Sequence, residues 1–297
     1  MSNSNASQIF SYLAPAKVNL CLNIGKKKFN GYHELASVVG FTEFGDNITI
    51  QISNEDHLIL LGQFSENLPD DINENLIVKS VKTLRRLKYK IPPLKITVDK
   101  QIPVGGGLGG GSSDSATIFI ALNNIFNLNI SQDYLEKMTV KIGADIPVCL
   151  NRTFVVMRGI GEQITPISNA HIPQYVVLAN PGSIVDTKSV FEKFEDYQRE
   201  GMVKNIQKIL DIKQFLKNGN DLQDAAKKMY PEVEILLNTM TALYPRNYAL
   251  NPSCVKMSGS GSTCFALFED EITANTYCYN IQKAGYWSVS TKFISEF

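Results

Sequence analysis

A glycine-rich segment in the middle of the chain carries the residues best suited to bind an anion. Glycine loses more backbone entropy on folding than any other residue, so such a run is unfavourable unless a ligand must closely approach the backbone N–H groups. A helix predicted to begin directly after the segment would add about half a positive charge at its N-terminus. These features predict a phosphate cradle. Its residues are Pro103, Val104, Gly105, Gly106, Gly107, Leu108, Gly109, Gly110, Gly111, Ser112 and Ser113.

Three other interpretations fit this segment less well. A flexible linker would be polar and would not lie between a predicted strand and a predicted helix. A Walker A loop requires a lysine that the segment lacks. The Rossmann pattern G-x-G-x-x-G is met formally by Gly105, Gly107 and Gly110, but residues 131–142 read as a second helix where a Rossmann unit requires a strand. A phosphate cradle of another kind is therefore favoured.

Lys17 is the first of two charged side chains in apolar surroundings. It stands at the start of an apolar strand pattern, between Ala16 and Val18. Its ammonium must therefore reach solvent or find an anion. A lysine that protects a strand edge is the alternative interpretation, and the residue alone does not decide between the two.

Asp145 is the second such side chain, and it lies between apolar neighbours just after Gly143. A carboxylate in that setting must be paired, hydrogen-bonded or functional. Pro147 disfavours helical geometry at Ile146, so the chain is predicted to turn there. An aspartate that caps a helix or a turn is the alternative.

The elements that must position these residues alternate between strand and helix patterns. Hairpin-like β pairs open the chain, which favours an α+β fold over an all-parallel sheet. A polar stretch with prolines at 166–174 suits a domain boundary. Strands are predicted at 18–24, 48–52, 57–61, 96–98, 154–157, 175–179, 254–257, 264–268 and 287–293. Helices are predicted at 75–88, 113–127, 131–143 and 271–284, with several more between 187 and 243.

Composition excludes several classes of protein. The hydrophobic fraction of 44% and the charged fraction of 20% are typical of a globular chain. A formal net charge of zero does not indicate a nucleic-acid partner. No segment approaches the roughly 18 apolar residues of a membrane span, and the N-terminus lacks the features of a signal peptide. Five scattered cysteines without metal-binding spacing favour a reducing compartment, so a cytoplasmic location is predicted.

Three short segments occur in a characteristic order along the chain. P-A-K-V-N-L at 15–20, the glycine-rich segment and S-G-S-G-S at 258–262 resemble the three motifs of the GHMP small-molecule kinases, which act on galactose, homoserine, mevalonate and related compounds. The likeness extends from about Ala14 to the C-terminal strand. G-Y-H at 31–33, N-L-I-V at 75–78, G-A-D-I-P-V at 143–148 and A-N-P-G at 179–182 narrow it to members that act on a cytidylated alcohol. The doubled G-G-G is its most diagnostic piece.

The resemblance implies an α+β, two-domain GHMP kinase fold. Residues 1–167 would form an ATP-binding domain similar to ribosomal protein S5 domain 2, and residues 168–297 a ferredoxin-like substrate domain. The implied reaction moves the γ-phosphoryl group of ATP to the C2 hydroxyl of 4-diphosphocytidyl-methylerythritol. Asp145 would act as the general base, and Lys17 would orient it and stabilise the transferring group. Mg²⁺ is expected with ATP, and its ligands are unknown.

The resemblance also implies binding residues for both ligands. Tyr32 and His33 match the pair that recognises the base, and Phe191 matches the opposing aromatic residue. Asn19 and Thr187 are candidates for the sugar, diphosphate or erythritol groups.

On the ATP side, the resemblance adds Asn75, Leu76 and Lys100, which would line the adenine pocket beside the glycine-rich segment. Ser112 and Ser113 are both candidates for a hydroxyl that contacts phosphate or metal. The chain departs from the family pattern at Lys188, where proline is usual. The geometry around Phe191 is therefore not implied by the resemblance.

An NAD-dependent oxidoreductase, which the Rossmann pattern would indicate, is supported neither by the second helix nor by the order of elements along the chain. Two other functions stay open at this point. One is a GHMP kinase with another substrate. The other is a ligand sensor of the same fold without catalysis, which the loss of Lys17 or Asp145 would suggest. Both residues are present.

Overall fold

The computed structural model describes residues 8–29, 31, 33–67, 71–167, 172–194, 219–246, 248 and 254–294. Strands and helices interleave through these ranges, as expected for an α+β fold. They divide into two compact units that alternate along the chain. Unit 1 draws its described residues from Met1–Ala16, Gly45–Val104 and Gly109–Leu150, and unit 2 from Lys17–Phe44, Gly105–Leu108 and Asn151–Phe297. The predicted domain boundary after residue 167 stays a prediction.

Two long strands open the chain and pair with each other, β1 (Phe10–Lys27) and β2 (His33–Ile52). The sequence pattern predicted only the central part of β1 and the end of β2. Polar residues and Gly45 interrupt the apolar alternation in the middle of β2. A Cβ at Gly45 would lie 2.1 Å from the carbonyl oxygen of Ala14. The glycine therefore marks a close backbone approach rather than a strand end.

In unit 1, the second half of β2 pairs antiparallel with β4 (Leu94–Asp99), which pairs in parallel with β3 (His57–Leu61). Two short 3-10 helices, Ser65–Asn67 and Ile72–Glu74, follow β3. The α-helices of this unit pack as α2 on α1 and as α4 on α2 and α3. They are α1 (Leu76–Arg86), α2 (Gly110–Ile125), α3 (Gln132–Thr139) and α4 (Ile146–Cys149).

Two helices in unit 1 begin where the sequence did not predict them. The start predicted for α2 was residue 113, but Gly110 and Gly111 form its first turn. The prediction of a turn at Ile146 was wrong, because α4 begins there with Pro147 in its first turn. Proline fits that position, since a first-turn N–H has no partner within a helix.

In unit 2, the first half of β2 pairs with β5 (Val155–Gly159), and β5 pairs with the unpredicted strand β6 (Gln163–Pro166). A second, antiparallel sheet has the order β10-β7-β9-β8. Its strands are β7 (Tyr175–Asn180), β8 (Lys256–Met257), β9 (Cys264–Phe268) and β10 (Trp287–Lys292).

Four α-helices belong to the described part of unit 2, and they share a core with its antiparallel sheet. Tyr277 is buried in this core and donates its hydroxyl to the carbonyl of Met240 at 2.6 Å. No helix among the described residues has the length and apolar character to cross a membrane. The helices are α5 (Thr187–Lys193), α6 (Gln223–Met229), α7 (Pro231–Leu243) and α8 (Glu271–Lys283).

A buried cluster of three charges in unit 1 connects β2, the end of β4 and the first turns of α2. The ammonium of Lys100 contacts the carboxylates of both Asp46 and Asp114, the latter at 2.6 Å. All three side chains are almost completely buried. The second oxygen of Asp46 accepts the N–H groups of Gln101 and Ile102 at 2.6 and 2.8 Å. The cluster therefore fixes the segment from which the glycine-rich loop begins.

With both carboxylates ionised, the cluster would carry two negative charges against one positive charge. The pKa of Asp114 is raised in this setting. Burial, followed by repulsion from Asp46, raises the pKa of Asp114 to about 7, although Lys100 opposes the shift. Burial alone would lower the pKa of Lys100, but attraction to Asp114 and Asp46 outweighs it and raises that pKa. The Oδ1 atom of Asp114 has no hydrogen-bond partner within the described chain.

We predict that Asp114→Asn changes how stability depends on pH. The folded-state pKa of Asp114 is raised, so the folded protein binds the proton more tightly, and its contribution to stability falls as pH rises from about 4 to about 7. The variant lacks this term, so its stability relative to wild type should increase across that range, by at most about 1.4 kcal/mol per pH unit. Urea unfolding at several pH values measures it. Asp224→Asn, an exposed change, is the control, and parallel curves for wild type and Asp114→Asn would refute the assignment.

Candidate active site

The four residues Gly105–Leu108, here called the loop tetrad, belong to unit 2. Every carbonyl of the tetrad accepts a hydrogen bond from another segment of that unit. The donors are the N–H of Val185 to Gly105 at 3.2 Å, the N–H of Thr263 to Gly106 at 3.0 Å, the hydroxyl of Ser258 to Gly107 at 3.1 Å and the N–H of Lys17 to Leu108 at 2.9 Å.

The N–H groups of the tetrad are in the opposite situation, since they donate no hydrogen bond within the described chain. The sign of φ alternates along the loop, being positive at Gly105, Gly107 and Gly109 but not at the residues between them. Alternation of this kind forms a concave nest of N–H groups that binds anions. A Cβ at Gly107 would lie 2.3 Å from the carbonyl oxygen of Ser258, so this position requires glycine.

The N-terminus of α2, in unit 1, continues the same chain segment. Gly109 precedes the helix with a φ of 66°, and the N–H groups of Gly110 through Ser112 have no acceptor in the described part of the chain. The Ser113 hydroxyl is fully buried and donates to the carbonyl of Pro15 at 2.7 Å. Ser112 is only half-buried. Of the two predicted hydroxyls, that of Ser112 is therefore the more accessible to a ligand.

Asp145 lies in unit 1, directly before α4, and is half-buried. Within the described chain its carboxylate accepts no hydrogen bond from the first turn of α4, which disfavours a purely capping role. A Cβ at Gly111 or Gly143 would lie 3.8 or 3.9 Å from Cδ1 of Leu76. The predicted adenine-pocket residue Leu76 thus adjoins both the start of α2 and the turn that leads to Asp145.

Asn75 and Lys100, also predicted to line the adenine pocket, already have protein partners in unit 1. Asn75 caps α1 by accepting the N–H of Ile77 at 2.9 Å. Lys100 is held by the buried carboxylates, so little of its charge is available to a ligand. Their place in that pocket stays a prediction.

Lys17 and Asn19 stand on β1 in unit 2, and both are buried. Asn19 accepts no hydrogen bond through Oδ1 in the described chain, although its Nδ2 donates to Ser37 at 2.8 Å and its backbone N–H to Ser258 at 3.1 Å. A buried acceptor without a donor is uncommon in folded proteins and fits a ligand-binding residue. Lys17 and Asp145 belong to different units, and their predicted cooperation stays a prediction.

An aromatic cluster in unit 2 contains two of the three residues predicted to recognise a base. The His33 ring lies 6.1 Å from Phe191 and also 6.1 Å from Phe194, measured between centroids. Nδ1 of His33 is 3.2 Å from the carbonyl oxygen of Gly25, which can only accept, so Nδ1 carries a proton; in the neutral ring, Nε2 is then an acceptor. Phe194 was not predicted, although it follows Phe191 at helical spacing. Tyr32 lies outside the described residues.

The segment in which Lys188 replaces the usual proline forms a regular helix. Asp186 caps α5 by accepting the N–H of Ser189 at 3.0 Å. Lys188 is exposed and pairs with Glu192 at 3.8 Å. The hydroxyl of Thr187 lies 2.8 Å from that of Ser260 in the S-G-S-G-S segment. The structure thus brings Thr187 to the third motif.

Two buried asparagines beside that segment were not predicted as site residues. Asn180 donates to the hydroxyls of Ser262 and Thr263 at 3.1 and 2.9 Å. Asn220 donates to backbone carbonyls of the same turn. Asn180 belongs to the A-N-P-G segment at 179–182, which could have singled it out, whereas Asn220 carries no sequence signal because asparagine is common in turns.

The chain is similar to known kinases in both halves of its sequence. The model of the GHMP kinases N terminal domain matches residues 75–152, and that of the GHMP kinases C terminal matches residues 200–286. The chain is 34% identical over 278 residues to the 4-diphosphocytidyl-2-C-methyl-D-erythritol kinase of Brucella abortus biovar 1, covering 90% of this chain and 89% of the relative. Identity to the enzyme of that name from Marinobacter nauticus is 32% over 266 residues, with coverage of 88% and 86%.

Solved structures agree with this relationship. The crystal structure of 4-(cytidine 5'-diphospho)-2C-methyl-D-erythritol kinase superposes with a TM-score of 0.75 at 26% identity, covering 97% of this chain and all of the other. Homoserine kinase from Cytophaga hutchinsonii gives a TM-score of 0.70 at 16% identity, covering 99% and 97% of the two chains, and so shares the fold. The predicted GHMP kinase fold is confirmed. The chain therefore belongs to the GHMP kinases, in the family whose members are named 4-diphosphocytidyl-2-C-methyl-D-erythritol kinase.

Proposed function

We propose that this protein is an ATP-dependent kinase that phosphorylates the C2 hydroxyl of 4-diphosphocytidyl-2-C-methyl-D-erythritol, giving its 2-phosphate and ADP in non-mevalonate isoprenoid biosynthesis. The observation that carries the proposal is the loop tetrad, with its carbonyls bound to protein and its N–H groups unused. Relatives that share a third of their residues over nine-tenths of the chain supply the identity of the acceptor. The predicted domain boundary after residue 167 falls between the stretches matched by the two family models.

The cradle supports phosphoryl transfer mainly through positioning and charge. The N–H groups of the tetrad and of the α2 N-terminus would hold the phosphates of ATP, with the Ser112 hydroxyl beside them. Mg²⁺ would neutralise part of the phosphate charge. It prefers oxygen ligands and is usually held by one or two protein groups, water and substrate phosphates. The Ser112 hydroxyl is an oxygen donor of that kind beside the cradle, so the cradle fits the ion, with water and phosphate oxygens as further ligands.

Asp145 would take the proton from the C2 hydroxyl as that oxygen attacks. A tertiary alcohol does not ionise at neutral pH, so a positioned carboxylate accelerates the step, typically about 10²–10⁴-fold. Lys17 would orient this carboxylate and stabilise the charge on the transferring group. In-line placement of the two substrates can contribute more, roughly 7–11 kcal/mol.

The aromatic cluster would hold the cytosine ring of the acceptor. Phe191 offers a face for stacking, and Tyr32 is proposed for the opposite side. In the neutral His33 ring, with Nδ1 donating to Gly25, Nε2 would accept a hydrogen bond from the exocyclic amino group of cytosine, a position at which uracil has a carbonyl. Asn19 and Thr187 would contact the sugar, diphosphate or erythritol groups.

The proposed location is the cytoplasm. Cys21, Cys149, Cys254, Cys264 and Cys278 are all buried thiols, as suits a reducing compartment. A nucleic-acid partner is not proposed, because the formal net charge is zero.

The direct test is an assay of phosphate transfer from ATP. We expect turnover of 4-diphosphocytidyl-methylerythritol and little or none of plain methylerythritol, mevalonate, homoserine or galactose, because only the first carries the cytosine that the aromatic cluster would recognise. Formation of ADP and of the phosphorylated alcohol are both measured. Turnover of another alcohol in preference to the cytidylated one would point to a GHMP kinase of different specificity. ATP binding without turnover of any acceptor would point to a sensor.

The general-base role predicts that Asp145→Asn lowers kcat at least about 100-fold while ATP affinity is largely kept. The amide keeps the shape of the side chain but cannot take a proton. Single-turnover kinetics and ATP titration measure the two effects. Asp133→Asn, on the exposed start of α3, should match wild type. A loss in kcat of less than tenfold at Asp145 would remove it from this role.

Recognition of cytosine predicts that His33→Ala raises KM for the cytidylated alcohol roughly five- to tenfold, the value of one hydrogen bond, without changing KM for ATP. His57→Ala is the matched control, since that histidine is exposed on β3. Initial rates with each substrate varied in turn measure the effect. An equal rise in both KM values would indicate that His33 supports the fold rather than the base.

A further inference from the structure

The turn between β8 and β9, residues 258–263, is here called the serine turn. Three of its four hydroxyl-bearing residues, Ser258, Ser262 and Thr263, are fully buried, and Ser260 is nearly so. Two of its groups hold the loop tetrad, the Ser258 hydroxyl on the carbonyl of Gly107 and the Thr263 N–H on that of Gly106. The orientation of the tetrad therefore depends on the conformation of the serine turn.

Asn220 clamps the first half of this turn. Its Nδ2 donates to the carbonyl of Met257 at 2.8 Å and to that of Gly259 at 2.7 Å, on either side of Ser258. Its Oδ1 accepts the N–H of Leu222 at 2.9 Å. The amide is buried, and both its hydrogens and its oxygen are in use. The N–H and the carbonyl of Ser258 are bonded within the turn, to Thr263 at 2.9 Å and to Gly261 at 3.0 Å, and Asn220 holds the carbonyls on either side of them.

Asn220 is itself anchored to β1, the strand that carries Lys17 and Asn19. The N–H of Leu22 donates to the carbonyl of Gly219 at 3.2 Å, and the N–H of Asp221 donates to the carbonyl of Leu22 at 2.8 Å. The Asp221 carboxylate accepts the N–H of Ile24 at 2.9 Å. The position of Asn220 is therefore set by hydrogen bonds to β1, a strand that carries candidate site residues.

We propose that Asn220 is a positioning residue for phosphoryl transfer, acting on ATP through the serine turn and the loop tetrad. Its amide sets the peptides around Ser258, whose hydroxyl then accepts the N–H of Asn19 and donates to the carbonyl of Gly107. With that carbonyl held toward the protein, the N–H groups of the tetrad are presented to phosphate. The inference rests on the proposed kinase function, and it adds a residue that touches neither substrate in the proposed site.

Asn220→Asp is the sharpest variant. It keeps the shape and the acceptor for Leu222 but places a carboxylate against two carbonyl oxygens. We expect weaker ATP binding and a lower kcat, each by between about tenfold and 100-fold, because small displacements of a positioned group have effects of this size. Direct titration with ATP and steady-state kinetics measure them. The titration needs no acceptor, so an error in the proposed substrate would show in the wild-type assay and not here.

Asn123→Asp is the matched control for a loss of stability alone. The amide of Asn123 makes a similar two-point contact with the backbone of Ile130, at 2.9 and 3.0 Å, in unit 1. This control should lower the melting temperature and keep wild-type ATP affinity. If Asn220→Asp does the same, the positioning role is refuted. Asn220→Ser, which keeps one donor, serves in its place if the aspartate variant does not fold, and wild-type ATP affinity in that variant would equally refute the role.

A double-mutant cycle with Ser258→Ala tests the proposed route. If Asn220 acts through the Ser258 hydroxyl, Asn220→Asp should add little to the loss of ATP affinity already caused by Ser258→Ala, because the two residues belong to one chain of contacts. Losses that multiply in the double variant would show that Asn220 acts independently of this hydroxyl and would overturn the route.

Discussion

The site depends on the direction in which four successive peptide groups face. The carbonyls of the loop tetrad are all bound by donors of unit 2, so their N–H groups are available to an anion. That arrangement requires alternating signs of φ and a backbone close enough to Ser258 to exclude a Cβ at Gly107. Ordering so many glycines costs backbone entropy, and binding of a ligand by the ordered N–H groups would offset that cost. A phosphate cradle is such a use.

Two sets of buried polar groups hold the glycine-rich segment. The set in unit 1 holds the residues that flank the loop tetrad, and the set in unit 2 holds the tetrad itself. In unit 1, Lys100 with its two carboxylates fixes the chain before the loop and the early turns of α2. In unit 2, Asn220 fixes the serine turn that binds Gly106 and Gly107. Buried polar groups of this kind are costly unless fully satisfied, and they specify one conformation when they are. Within the described chain, the Oδ1 atoms of Asp114 and Asn19 have no hydrogen-bond partner, and that of Asn19 lies where a ligand is proposed to complete the set.

Local patterns were enough to predict most elements of the fold. The strand pattern at 96–98 predicted the core of β4, and the helix predicted after α2 correctly argued against a Rossmann unit. The errors concerned where elements begin and end, namely the extent of β2 and the start of α4. β2 continues through polar residues and Gly45 because strand pairing outweighs the broken alternation, and α4 begins beside Pro147 because a first-turn proline forfeits no helical hydrogen bond.

The sequence by itself determined the family, the need for glycine in the loop and the candidate residues, because motif order and residue type are properties of the chain. Only the tertiary structure decided which groups are available. It showed that the Ser113 hydroxyl is used by Pro15, 98 residues away, leaving Ser112 accessible, and that Asn19 meets Ser258 across 239 residues. Hydrogen bonds form between atoms that the fold brings together, and no local pattern encodes such distant pairings.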